Sequence, residues 1–113
     1  SLQENAKIHA IVEDVVEASH NGIISWEIKA NVQPILLQGK DDYEKTKQRW
    51  EIFEEYFNEN NIEFDKIISI EGDIISKLVN LIYILDYASI YLAIINKIDP
   101  TPVKSIEYIK KRL

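Results

Sequence analysis

The sequence contains no cysteine and no methionine, only 3 glycines and 3 prolines, and fewer basic than acidic side chains, 13 against 19. Without cysteine there is no disulfide framework and no thiolate metal centre, and the chain suits a reducing compartment, so a cytoplasmic location is expected. A formal net charge of −6 leaves no basic stripe to neutralise a phosphate backbone or an anionic bilayer. Neither nucleic acid nor membrane is therefore expected as a partner. No charged and apolar leader opens the sequence, and nothing indicates secretion. Ser1 runs directly into a helical pattern with no initiator methionine, so further sequence is expected upstream. What is present is 46% hydrophobic and 28% charged residues over 113 positions, enough for a packed core in one domain or part of one.

The apolar set Ile8, Ile11, Val12, Val15 and Val16 has the i, i+3, i+4, i+7, i+8 spacing of an amphipathic helix and predicts one over residues 3 to 19. Glu4 lies one turn before Ile8 on that stripe, where the helix dipole favours a carboxylate and the buried face would partly desolvate it. His9 should face solvent. Residues 20 to 34 read as a loop, long enough to suggest a functional one. Ile35 to Gln38 is a short apolar run closed by Gly39 and predicts a buried strand. Asp41 and Glu44 have capping-box spacing before a second helix over about 42 to 58, with Tyr43, Trp50, Phe53 and Phe57 on its core side. Phe64 to Ile70 is a second strand candidate, a third helix covers 73 to 96, and Pro102 suits the first turn of a last one reaching Leu113. Strands alternating with helices predict an α/β layer fold with a parallel sheet. Two strands alone make no stable sheet, so others are expected from upstream, from a partner chain, or from unseen strands within 23 to 33.

The segment Leu78 to Ile95 is long enough to cross a bilayer, but Asn80, Asp86 and Ser89 interrupt it. A mid-helix aspartate costs roughly 2.5–3.5 kcal/mol on insertion scales. A helix apolar all round reads rather as the centre of a soluble core or an oligomer interface. Asp86 there needs a partner, and Lys77 or a backbone donor would serve.

Several fragments carry a family resemblance: Glu4-Asn5-Ala6-Lys7, then His20-Asn21 with Trp26-Glu27, then the helix bearing Arg49, then Asp86 to Ala93, and last Asp99-Pro100-Thr101-Pro102-Val103 followed by Ile109-Lys110. In order and spacing the chain resembles the C-terminal sugar-isomerase (SIS-type) domain of prokaryotic bifunctional phosphoglucose/phosphomannose isomerases. It departs from that pattern at Ser19, where an asparagine or similar polar residue is usual, and at Gly22, where a glutamate commonly follows the His-Asn pair. The resemblance implies that residues 1 to 113 are the C-terminal portion of such a protein. It also implies a three-layer, flavodoxin-like α/β domain with a parallel sheet flanked by helices. The implied activity interconverts glucose 6-phosphate, and mannose 6-phosphate, with fructose 6-phosphate in a homodimer with a shared site. By similarity Glu4 matches the catalytic base, His20 the ring-opening residue, and Lys110, with Lys104 as the second candidate, the lysine near the ring oxygen.

These residue types suit that chemistry. One carboxylate can move a proton between C2 and C1 through an enediolate, an imidazole titrating near neutrality can open the ring, and a lysine can stabilise the oxygen that gains charge. No metal or organic cofactor is called for. Glu4 and His20 are 16 residues apart, mostly in the expected helix, which puts them about 24 Å apart along the axis. One subunit cannot bring both to one sugar, and the site is expected to combine Glu4 of one chain with His20 of another. No Gly/Ser/Thr-rich phosphate-cradling turn opens a helix, so phosphate binding and full activity are expected to need the rest of the protein. By position alone Glu4 is also an ordinary first-turn acid, His20 a loop histidine and Lys110 a solvated last-turn lysine. The rival functions are a sugar-phosphate-sensing regulatory domain and a dimerisation module without catalysis.

Overall fold

The structure, a computed structural model, describes residues 1–113. In chain order its elements are α1 (Leu2–Ala6), α2 (Val15–Ala18), a 3-10 helix (Gly22–Glu27), β1 (Ile35–Gln38), α3 (Glu44–Glu59), β2 (Asp65–Ile68), α4 (Ile74–Ile95) and α5 (Lys104–Lys110). They form two compact units, one of Ser1–Ile11 with Ile82–Leu113 and one of Val12–Leu81.

The second unit is a β-α-β unit. β1 and β2 pair in parallel, Ile35 opposite Asp65 and Gln38 opposite Ile68, with α3 as the connection. Phe53 and Phe57 on α3, Leu36 on β1 and Val15 on α2 form its core, flanked by Trp26, Trp50, Tyr56, Ile62 and Phe64. Trp26 and Phe57 meet edge to face with ring centroids 5.3 Å apart, and Phe53 meets Phe57 at 5.8 Å. This aromatic packing realises the i, i+3, i+7 spacing of Trp50, Phe53 and Phe57, while Tyr43 stays exposed. α3 ends in a Schellman turn. Asn61 adopts the left-handed conformation (φ 54°), its N–H donates to Asn58 O, and the Ile62 N–H donates to Phe57 O.

The helix expected over residues 3 to 19 is not formed. α1 stops at Lys7, which is left-handed (φ 57°), and helix resumes only after Asp14, whose Oδ1 caps α2 by accepting the Val16 N–H at 2.8 Å. Ile11 and Val12, central to the supposed stripe, are each 90% exposed. The helical spacing was thus shared by two short helices and the extended stretch between them. Glu4, in consequence, is exposed and not desolvated by a buried face.

Four further expectations are corrected. Residues 23 to 33 supply no strand; a 3-10 helix occupies Gly22–Glu27 of the expected loop. The helix start at Asp41 is not a capping box: Tyr43 is the N-cap and makes no side-chain cap. Asp41 instead accepts from Lys77 Nζ at 3.0 Å, and that bond and charge, with Lys47 and Lys40 nearby, hold its carboxyl below the ordinary range. Lys77 is therefore Asp41's partner, not Asp86's. Finally, α5 begins two residues after Pro102, at Lys104.

In the first unit, Ala6 on α1 and Ser89 and Ala93 on α4 are the buried residues. Small side chains on both helices permit a close approach, and the Asn5 side-chain amide donates to Ser89 Oγ at 2.8 Å. Ser89 Oγ donates in turn to Asp86 O at 2.6 Å, so the fully buried hydroxyl is satisfied. A second Schellman turn closes α4: Lys97 is left-handed (φ 57°), its N–H donates to Ile94 O, and the Ile98 N–H donates to Ala93 O. α4 is by length and composition able to cross a membrane, and only 11% of its most apolar window is buried.

Candidate functional site

The first unit holds an open cleft of about 650 Å³ lined by Gln3, Glu4 and Lys7 on one side and Pro102, Val103, Lys104, Ser105 and Ile106 on the other. Residues near the start of the chain thus face a turn nearly a hundred positions later. Glu4 lies in the first turn of α1, and Lys104 is the first residue of α5.

Two arrangements set this geometry. The Asn5–Ser89 bond and buried Ala6 seat α1 against α4. Lys7 then fixes the end of α1: its Nζ donates to Glu4 O at 2.5 Å, Pro102 O at 2.8 Å and Pro100 O at 3.3 Å. The proline-rich turn is itself braced by Asp99, whose Oδ1 accepts the Thr101 N–H at 2.9 Å. The Thr101 backbone and hydroxyl, with a smaller contribution from the Lys7 charge, hold the Asp99 carboxyl below its usual range.

Of the residues singled out by sequence, the cleft brings together Glu4 and Lys104. Lys110 is exposed in the last turn of α5 and does not line the cleft. His20 belongs to the other compact unit, exposed in the turn after α2, where its backbone N–H donates to Glu17 O at 2.9 Å. With no continuous helix between Glu4 and His20, the 24 Å separation loses its basis, and a two-chain site must rest on other grounds. Next to His20, Asn21 Nδ2 donates to Glu17 Oε1 at 2.6 Å, and a Cβ on Gly22 would lie 2.2 Å from Glu13 Oε2. The Glu13 carboxyl thus occupies space that a side chain at residue 22 would take. No three His, Asp or Glu side chains gather to hold a metal ion.

A second cleft, of about 560 Å³, opens at the carboxyl ends of β1 and β2, between Gln38 to Lys40, Ser69 and the Lys47–Trp50–Glu54 face of α3. Carboxyl strand ends are the usual ligand position in open α/β sheets. Two of its three ammonium groups are already paired, however, Lys66 with Glu54 at 2.8 Å and Lys40 with Glu71, while Lys47 makes no ion pair. The Glu54 carboxyl is pushed up by burial, but bonds from Lys66 and Gln38 outweigh this and leave it lowered. Sequence reading passed over Lys7 and Asn5 as candidates; their signal was adjacency to Glu4, but their partners at Ser89, Pro100 and Pro102 follow no local spacing.

The family described as bacterial phospho-glucose isomerase C-terminal SIS domain matches residues 1–113. A bifunctional phosphoglucose/phosphomannose isomerase of Caldicellulosiruptor bescii is 30% identical over 97% of this chain and 34% of its own length. Proteins of the same name from Aquifex aeolicus and Thermoplasma acidophilum are 25% and 29% identical, each over 99% of this chain and 36% of the relative. The chain thus spans about a third of the length of these curated relatives. No solved structure matches it significantly.

Proposed function

This chain belongs to the family of the bacterial phospho-glucose isomerase C-terminal SIS domain, and from that premise we propose that it is the C-terminal portion of an aldose–ketose isomerase acting on hexose 6-phosphates, with Glu4 as the proton carrier. The observation that supports this reading is the cleft lined by both Glu4 and Lys104.

The reaction then runs as follows. The closed sugar ring opens as His20 exchanges a proton with the ring oxygen and the C1 hydroxyl. Glu4 removes the proton from C2 of the open aldose and the electron pair moves onto the aldehyde oxygen to form an enediolate; the C2 hydroxyl proton passes to the C1 oxygen, and Glu4 returns its proton to C1 as the C2 oxygen re-forms a carbonyl, giving the ketose. Lys104, or Lys110, stabilises the oxygen that gains negative charge. Glu4 is exposed in this chain; water is excluded from it by substrate and the remainder of the protein. The three-layer sheet is completed, the substrate phosphate held and the apolar surface of α4 covered by parts of the assembly outside these residues. The family resemblance implies a dimer with a shared site, so the site takes its histidine from a second subunit in a soluble, cytoplasmic homodimer.

The test is turnover of fructose 6-phosphate and mannose 6-phosphate by the whole natural protein in a coupled assay. Isomerisation of either supports the reading, and absence of turnover with both overturns it. Co-expression of Glu4→Ala and His20→Ala chains tests the shared site, because mixed dimers regain one intact site and should recover activity that neither variant has alone. No recovery in demonstrably mixed dimers would place both groups in one chain's site.

A further inference from the structure

Resting on the reading of Glu4 as the proton carrier, we infer that Lys7 is a positioning residue for it, an ammonium clamp that locks the Glu4-bearing helix to the Pro100–Val103 turn and so sets the spacing between Glu4 and Lys104. A lysine ammonium has three N–H donors and no acceptor. Here it meets three backbone carbonyls: Glu4 O at 2.5 Å, Pro102 O at 2.8 Å and Pro100 O at 3.3 Å. One belongs to the residue being positioned, and two belong to the turn that forms the opposite wall of the cleft.

The clamp is needed because α1 cannot hold itself. It has five residues and no side-chain N-cap at Ser1, and a helix of that length does not persist alone. Its seat on α4, through Ala6 and the Asn5–Ser89 bond, fixes one face; the hydrogen bonds that tie it to the turn leading into Lys104 come from Lys7. The residue also stands where a lysine is not the natural choice. At φ 57° a residue with a Cβ is disfavoured and glycine is the usual C-terminal cap. The side chain's three bonds offset that conformational cost.

The test uses the whole natural protein. Lys7→Ala removes the ammonium and leaves the carbonyl cradle in place; Lys7→Gly does the same while relieving the left-handed backbone. Both should lower kcat by about ten- to a hundredfold, the scale of a misplaced reacting group, with KM for fructose 6-phosphate changed by no more than about twofold. Added n-propylammonium should restore a large part of kcat in Lys7→Ala, and n-propanol should not. The clamp is overturned if kcat in both variants stays within about twofold of native, or if the loss is matched by lost folded protein and is indifferent to the amine. If the native protein turns over no hexose phosphate, the isomerase reading fails by itself. Amide exchange then still reads the clamp: Lys7→Ala must accelerate exchange at both Gln3–Lys7 and Val103–Ser105, and unchanged protection at either overturns it.

Discussion

Phe57 is the side chain on which the second unit's packing converges, and its truncation to alanine is a demanding test of that packing. The ring is 1% exposed and meets Trp26, Phe64, Phe53 and Tyr56 at centroid distances of 5.3, 5.6, 5.8 and 6.2 Å. Phe→Ala in a core costs about 3–5 kcal/mol, combining lost transfer energy with the cavity left behind. Three of its four ring neighbours, Trp26, Tyr56 and Phe64, are partly solvent-accessible and able to lean inward only in part, so the expected loss is about 3–4 kcal/mol, a large fraction of the roughly 5–15 kcal/mol that holds a domain folded. Phe57→Leu keeps most of the volume and should cost less than about 1.5 kcal/mol. Ile52→Ala, on an exposed face of the same helix, should stay within about 0.5 kcal/mol. Urea unfolding followed by tryptophan fluorescence is the assay, since both tryptophans of the chain, Trp26 and Trp50, border this cluster. With a slope of about 2 kcal/mol/M, the Phe57→Ala midpoint should fall by about 1.5–2 M. A shift no larger than that of Ile52→Ala would refute the assignment of this ring as the centre of the core.

Lys97→Gly should stabilise the protein by about 0.5–1 kcal/mol, because a left-handed residue with a Cβ costs about 1–2 kcal/mol and glycine's extra unfolded-state entropy returns part of it; thermal unfolding measures it, and a lowered melting temperature contradicts the turn geometry. Ser89→Leu should unseat α1 by forcing bulk between Ala6 and α4, seen as faster amide exchange across Gln3–Lys7, and unchanged exchange there would contradict the packing. Glu54→Gln should cost at most about 1 kcal/mol at neutral pH and low salt. Since the Glu54 carboxyl is lowered in the folded state, its contribution is present above the ordinary glutamate range and is lost as the pH falls through the folded value. The native and variant stability curves should therefore converge in acid, and a gap that persists there would rule out the Lys66 and Gln38 bonds as its source.

The middle of the chain was legible because its local patterns and its packing agree. The Ile35–Gln38 run became β1, although only Leu36 of it is buried and Ile35 and Leu37 are exposed, the Trp50–Phe53–Phe57 spacing became the core face of α3, and the long apolar segment became α4. Residues 3 to 19 misled because five apolar residues kept helical spacing while a non-local set of bonds decided the backbone. The Lys7 ammonium finds carbonyls at Pro100 and Pro102, and no periodicity reports them. Asp41 likewise had capping spacing, yet Lys77, far along the chain, drew its carboxylate away. For the site, the family resemblance singled out Glu4 and the Asp99–Val103 turn as separate fragments. Their meeting across one cleft, lined by Glu4 and Lys104 but not by Lys110, is a tertiary fact.

The central claim is that Glu4 carries the proton between C2 and C1. Its most direct test is solvent-isotope exchange into the hexose phosphate catalysed by the whole protein bearing Glu4→Gln. That substitution keeps shape and hydrogen bonding but removes the base. Exchange should fall by about a hundredfold or more, while sugar-phosphate binding remains near native. Undiminished exchange in a folded, substrate-binding Glu4→Gln protein would contradict the account.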